Sequence, residues 1–459
     1  MIKKCIYRFA VLAAVLLWLP AMNAEAASRL QDTGDKLVIV IDPGHGGDNR
    51  GTIENNHEEK FMTMTTALAM YEELQRYDNV EVYLTRTEDV KLSLKERAEF
   101  AVSVDADFMF SIHYNASANH ELYGSEVWVS SVSPYNGYGL QFGHEFLTEA
   151  REMGLLIRGV KTRLGDDGDY YGIIRESVAL DLPALIIEHC HVDNIQDTDF
   201  CDTDEDLKAF GIADATAVAK YFGLSSGELN VDYSGYALTE ASATSLNSIT
   251  KNDDTEPDVC QISLKQEDYE RETITLEVTA ADYDSPLMYY SYSLDGGKVF
   301  SERETWPGCD ALTGAYTDTF TLDLEVPANV TAEIILRAYN SYDLYTESNM
   351  LTRPKAVTDE KENEAQASQY GQGAADSLTE PTASSGTKEL PGTTTFRPAM
   401  SENVEEKEVS FLSFLKLCLG LVAVLFIVVF VSQLISYRKR KKRRRQRRNE
   451  SGDSRNQLK

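Results

Sequence analysis

Positive charge is scarce in this chain. Lys and Arg number 44 against 74 Asp and Glu, a formal net charge of −30, and that balance argues against nucleic acid as a partner. Most of the concentrated basic charge lies in one run, Arg438-Lys439-Arg440-Lys441-Lys442-Arg443-Arg444-Arg445. Cysteine is scarcer, with six in 459 residues. No pair has Cys-x-x-Cys spacing, which argues against a thiolate zinc site. Histidine is limited to seven, so any imidazole chemistry must come from few positions. Long apolar runs are confined to the two ends.

Those two ends read as targeting segments. Lys3, Lys4 and Arg8 precede the apolar stretch Phe9 to Pro20, and Ala24-Glu25-Ala26 offers small residues for cleavage, so residues 1–26 are expected to be a secretory signal peptide. Near the other end, Leu417 to Ile435 is almost continuously apolar, and a transmembrane helix is expected over 411–436. The basic tail 437–459 follows at once. By the positive-inside rule it is cytoplasmic, which puts the rest outside a single-pass cell membrane anchor, on the cell-wall side. Four cysteines then face the exterior, and Cys190–Cys201 and Cys260–Cys309 are the expected disulfides.

Between the ends lie two patterns. From residue 36 to 224, strands alternate with helices: strands at Val38–Ile41, Val80–Leu84, Phe108–Ile112, Glu126–Val129, Tyr171–Ile174 and Ala184–Ile187, helices near 57–77, 92–104, 140–153 and 204–222. That alternation predicts an α/β domain with a mostly parallel sheet flanked by helices. After a linker over 225–256, residues 257–352 alternate apolar and polar with a period of two, as in Ile274, Leu276 and Val278. An all-β immunoglobulin-like sandwich is expected there, with Asp295-Gly296 as a hairpin signal. Residues 353–408 lack apolar periodicity and read as a disordered acidic linker, reaching on the order of 40 Å as a coil.

The first strand ends abruptly in Asp42-Pro43-Gly44-His45-Gly46-Gly47. Proline ends the ladder and glycine permits a tight turn, so His45 is presented at the carboxyl end of a central strand, where open α/β sheets place ligands. His113 ends a second strand and Glu188 a third, while Glu59 lies in the first turn of the helix after the His45 loop. Parallel strands carry their carboxyl ends to one edge, so these side chains can converge. Two imidazoles and a carboxylate are the ligand set of many hydrolytic zinc sites, and a second carboxylate can serve as proton shuttle. Glu58 and Glu59 point about 100° apart on a helix, so only one can face the metal. His57, His120 and His144 are read as surface or helix-face residues, and His189 and His191 as structural, although either could touch substrate.

These motifs, in this order, resemble the zinc-dependent N-acetylmuramoyl-L-alanine amidases of bacterial cell walls. The resemblance covers about Lys36 to Leu224 and rests on Asp42-Pro43-Gly44-His45-Gly46-Gly47, Glu59-Lys60, Ser111-Ile112-His113, Arg158-Gly159-Val160-Lys161, Ile174-Arg175, and Pro183-Ala184-Leu185-Ile186-Ile187-Glu188 with Asn194 beyond it. It implies that His45, Glu59 and His113 bind Zn2+. Glu188 would then be the catalytic base for zinc-activated water. The bond cut would be the amide between the lactyl group of N-acetylmuramic acid and L-alanine in peptidoglycan. The chain departs from the family pattern at Tyr114 and at His189-Cys190-His191, beside the expected site. A zinc carboxypeptidase acting on stem peptides, or a catalytically silent wall-binding scaffold, stay open as alternatives. Protein partners are not legible.

Overall fold

The computed structural model describes residues 36–55, 57–238 and 252–356. The expected signal peptide, nearly all of the acidic linker, the membrane helix over 411–436 and the basic tail lie outside the described residues. Among the described residues no helix is long and apolar enough to cross a membrane.

The first half is a layered α/β domain. Its strands are β1 (Leu37–Pro43), β2 (Val80–Leu84), β3 (Phe108–Asn115), β4 (Ser125–Val129), β5 (Ile157–Lys161) and β6 (Ala184–His191). They form one sheet in the order β2-β1-β3-β6-β4-β5. All neighbours run parallel except β6 and β4, which are antiparallel. Helices α1 (Glu59–Leu74), α3 (Tyr135–Glu152) and α5 (Asp204–Phe222) cover one face, while α2 (Leu94–Ser103) and α4 (Gly172–Ala179) lie on the other. Two helices start on capping boxes, Ser93 with Glu96 and Thr203 with Asp206, each satisfying orphan amide donors at both ends of a first turn.

Strand parity sorts the side chains. Leu185 and Ile187 enter the core under α1, α3 and α5, whereas Ala184 and Ile186 enter the other. Glu188 shares the second face with its cross-strand neighbour Glu126 and with Trp128. A bulge follows Glu188 and turns both His189 and Cys190 toward the first core.

The second half is a sandwich of two antiparallel sheets. One holds β7 (Val259–Asp268), β8 (Thr273–Ala281) and β10 (Thr319–Glu325). The other is built on β9 (Leu287–Ser293) and β11 (Ala332–Asn340), with β12 (Tyr345–Glu347) and β13 (Leu351–Arg353) at its edge. Its core, including Ile274, Leu276, Val278, Ile334 and Leu336, comes from both sheets. Strand β9 is buried on both faces: Leu287 and Tyr290 face the sandwich core, while Met288 and Tyr289 join the core of the α/β domain. The sandwich therefore packs directly on the α/β domain.

Several expectations are corrected. Tyr171–Ile174 is no strand; the helix α4 begins at Gly172 and buries Ile173, Ile174 and Ser177. The stretch 225–238 packs back on the α/β domain through Leu229, Val231, Tyr233 and Leu238. Asp295-Gly296 makes no two-residue hairpin, since β9 pairs with Glu304–Thr305 across a long loop that Asp295 Oδ1 holds by accepting from Lys298 N and Val299 N. All four described cysteines are free thiols. Cys190 lies within hydrogen-bonding reach of Cys201, but Cys260 faces the Leu336 carbonyl and Cys309 lies 3.4 Å from Met288 Sδ, so each of those two thiols has a different neighbour.

Candidate metal centre

The loop after β1 is held from beneath by two buried arginines. Arg97 Nη1 donates to Asp42 Oδ1 and to the Pro43 carbonyl, both at 2.7 Å, and its Nη2 donates to the His45 carbonyl at 2.5 Å. Arg86 Nε and Nη2 donate to the carbonyls of Pro43 and Gly44, at 3.0 and 2.8 Å. Asp42 also accepts from Thr85 Oγ1 and Ser111 Oγ. With its carbonyls fixed, His45 is held at φ 62, a left-handed conformation that few non-glycine residues adopt and that often marks a functional loop.

Three elements then bring one donor each to a single point. His45 Nε2 lies 2.9 Å from Glu59 Oε1, and His113 Nδ1 lies 3.0 Å from the same oxygen. The donor atoms all fall within 4.8 Å of one another, and this is the one such group among the described residues. Glu59 is buried, and its other oxygen accepts from Thr52 N at 2.9 Å. The approach is close: a Cβ on Gly44 would stand 2.4 Å from His113 Cε1, and one on Gly51 2.4 Å from Glu59 Oε2. His45 Nδ1–H donates to Asn49 Oδ1 at 3.1 Å, which fixes the tautomer and aims Nε2 inward, as the outer partner of a metal-binding histidine does.

Charge follows the geometry. Burial works against ionised Glu59, but hydrogen bonds and attraction from His113 and His45 outweigh it, and the carboxyl is held well below the usual carboxylate range. Burial likewise opposes protonation of His45, yet Glu59 and Asn49 raise its pKa. Three lone-pair donors aimed at one point need a proton or a cation between them. Two imidazole nitrogens and one carboxylate oxygen suit zinc, so the residues present fit that ion.

Glu188 stands on the neighbouring strand, in register with His113 on β3 and with Glu126 on β4. Its Oε2 is buried with no hydrogen-bond partner among the described residues. Burial, then the like charges of Glu59 and Glu126, push its pKa well above the usual range, the direction a proton-accepting carboxylate needs near neutrality.

The remaining candidates sort plainly. Glu58 pairs with Arg50 at 2.5 Å, away from the centre. His120 is exposed and bonds Asp193. His57 is half-buried near Asp202. His144 lies on a buried face of α3. His189 and His191 are fully buried; His189 Nδ1–H donates to the His113 carbonyl at 3.0 Å, and His191 Nδ1–H to that of Gly124 at 3.1 Å. Arg175 Nη1 donates to the Asp169 and Tyr170 carbonyls. Asn194 caps a short helical turn, Ile195–Thr198. Sequence reasoning missed Arg86, Arg97 and Glu126. Arg86 was within reach of the rule that found the others, as a polar residue just past the carboxyl end of a strand.

Sheet, edge and donor set together define a hydrolytic α/β domain with a candidate metal centre. The sequence profile described as N-acetylmuramoyl-L-alanine amidase matches residues 39–220. The amidase CwlM of Bacillus licheniformis is 32% identical over 190 residues, 41% of this chain and 70% of that protein. The sporulation-specific N-acetylmuramoyl-L-alanine amidase of Bacillus subtilis is 30% identical over 217 residues, 46% of this chain and 80% of that one. Among solved structures, the catalytic domain of the amidase CwlV from Bacillus (Paenibacillus) polymyxa is 28% identical with a TM-score of 0.35, over 40% of this chain and 97% of that one. The chain belongs to the N-acetylmuramoyl-L-alanine amidase family.

Proposed function

We propose that this protein hydrolyses the amide between the lactyl group of N-acetylmuramic acid and the L-alanine of the stem peptide in peptidoglycan, with zinc at His45, Glu59 and His113 and Glu188 as general base. The observation that carries the reading is Glu59 Oε1 within 3.0 Å of both imidazoles. Zinc bound there would supply Lewis acidity to a water and to the substrate carbonyl. Glu188 would take a proton from the attacking water as it adds to the lactyl carbonyl, and return it to the L-alanine nitrogen as the C–N bond breaks. His45, Glu59 and His113 do no proton chemistry; the arginine-clamped loop, the first turn of α1 and strand β3 hold them still. Placement is part of the same proposal: a secreted chain anchored at Leu417 to Ile435 works on the wall side, with Arg438 to Arg445 inside. Protease added to intact cells should then remove the domain.

Mass spectrometry of muropeptides digested with the purified protein tests the reaction. Peptides with a new amino-terminal L-alanine and glycan freed of peptide are expected. Released D-alanine would mean a carboxypeptidase, and unchanged muropeptides a silent protein.

A further inference from the structure

The face of the sheet that carries Glu188 also carries a buried ion cluster that the reaction, as described, does not use. Glu126 Oε2 accepts from Arg158 Nε and from Lys161 Nζ, both at 2.7 Å, and its Oε1 accepts from Asn115 Nδ2 at 2.9 Å and Trp128 Nε1 at 3.0 Å. Glu126, Arg158 and Lys161 are all buried. Within the α/β domain the cluster carries two positive charges against one negative, and two guanidinium nitrogens are left over. The sandwich supplies what is missing. Asp343 Oδ2 accepts from Arg158 Nη2 and the Tyr289 hydroxyl from Arg158 Nη1, both at 2.7 Å. The Tyr289 proton goes to the Tyr123 carbonyl at 2.5 Å, which turns an oxygen lone pair toward the arginine. Arg303 Nη1 braces the other Asp343 oxygen at 3.2 Å.

The turn that presents Asp343 is specifically built. Asp343 sits at φ 66. Asn340, fully buried at the turn's start, accepts from Tyr342 N and Leu344 N, and its amide donates to Asp253, Asp282 and the Thr255 carbonyl. Beside it, the Tyr342 hydroxyl accepts from Thr162 N at 3.3 Å, and Lys161 Nζ lies 5.5 Å from the rings of both Trp128 and Tyr342.

We propose that Tyr289 and Asp343 of the sandwich are positioning residues for the reaction: they fix Arg158, Arg158 fixes Glu126, and Glu126 fixes the face on which Glu188 stands. The inference rests on Glu188 being the base. Glu126 is the direct cross-strand partner of Glu188, and through Asn115 it also grips β3 two residues beyond His113. A shift of Glu126 is thus felt on the strands of both base and ligand, and a displacement near 1 Å at a reacting group costs roughly 100-fold in rate. On this view the sandwich completes the catalytic unit and is more than a spacer or wall-binding module.

The test uses the full-length protein in detergent and a defined muropeptide. Tyr289→Phe and Asp343→Asn should each lower kcat roughly tenfold, per folded chain, with KM unchanged. Made on a Glu126→Gln background, the same changes should have no further effect on kcat, because residues acting through one group are not additive. Arg158→Lys, which keeps the charge and loses the fork, is a second such background should Glu126→Gln not fold. Asp310→Asn alters a different contact between the two halves, the ion pair with Arg151, and should leave kcat alone. Unchanged kcat in Tyr289→Phe and Asp343→Asn, additive losses, or an equal loss in Asp310→Asn would overturn the inference while leaving Glu188 as the base. Full turnover in Glu188→Gln would instead overturn the reading beneath it.

Discussion

The ring of Tyr114 lies against the ring of His189, centroids 5.1 Å apart and 25° from parallel. Tyr114 follows His113 in sequence and His189 follows Glu188, and the two rings meet behind the candidate metal centre. Tyr114 N donates to Glu59 Oε1 at 3.1 Å, and its hydroxyl bonds Thr66. His189 Nδ1–H holds the His113 carbonyl while Nε2 faces both oxygens of Asp214, at 3.0 and 3.2 Å. Tyr114 and His189 thus support the donor set from inside the core.

Removing that support should weaken metal binding. His189→Phe alone leaves Asp214 buried without a partner and should cost about 3–5 kcal/mol of stability. His189→Phe with Asp214→Leu removes both polar groups and should regain most of the fold. Zinc affinity, measured by chelator competition, should still fall roughly 10- to 100-fold. Wild-type affinity in the folded double variant would mean that the pair only packs.

The close approach at Gly44 gives a second test. Its backbone is open to alanine, but a Cβ would overlap the His113 ring at 2.4 Å. Gly44→Ala should therefore fold and bind zinc at least about tenfold more weakly. Unaltered affinity would show that His113 can move without loss.

Acid should unfold the protein partly through two buried histidines. Burial pushes His144 down to about 4, and burial together with Arg158 pushes His191 down to about 4, from 6.5. A depressed folded value favours the neutral ring, so each contribution is complete above pH 6.5 and is lost as pH falls toward 4. Each amounts to roughly 3 kcal/mol. In urea titrations across that window, His144→Leu should unfold less steeply with acid than wild type. Parallel curves would remove His144 from the account.

What the sequence disclosed follows from where polarity interrupts apolar runs. His45, His113 and Glu188 stand out because each ends a strand, and Glu59 because a helix starts there. β5 was hidden because Arg158 and Lys161 interrupt its apolar pattern; they are buried because Glu126 and the sandwich neutralise them, a long-range fact. α4 read as a strand because Tyr171-Gly172-Ile173-Ile174 is short and β-branched, and packing against α2 and β6 overrode that propensity. Alternation in β9 suggested one wet face, and the α/β domain covers it.

The proposed reaction needs one zinc ion on His45, Glu59 and His113 and needs Glu188 to move the proton. Metal content and turnover measured together, on wild type and Glu188→Gln, test it most directly. One zinc per chain in both proteins, with turnover lowered roughly 100-fold or more in the variant alone, is the expected result. An active protein free of metal, or near-normal turnover in Glu188→Gln, would contradict it.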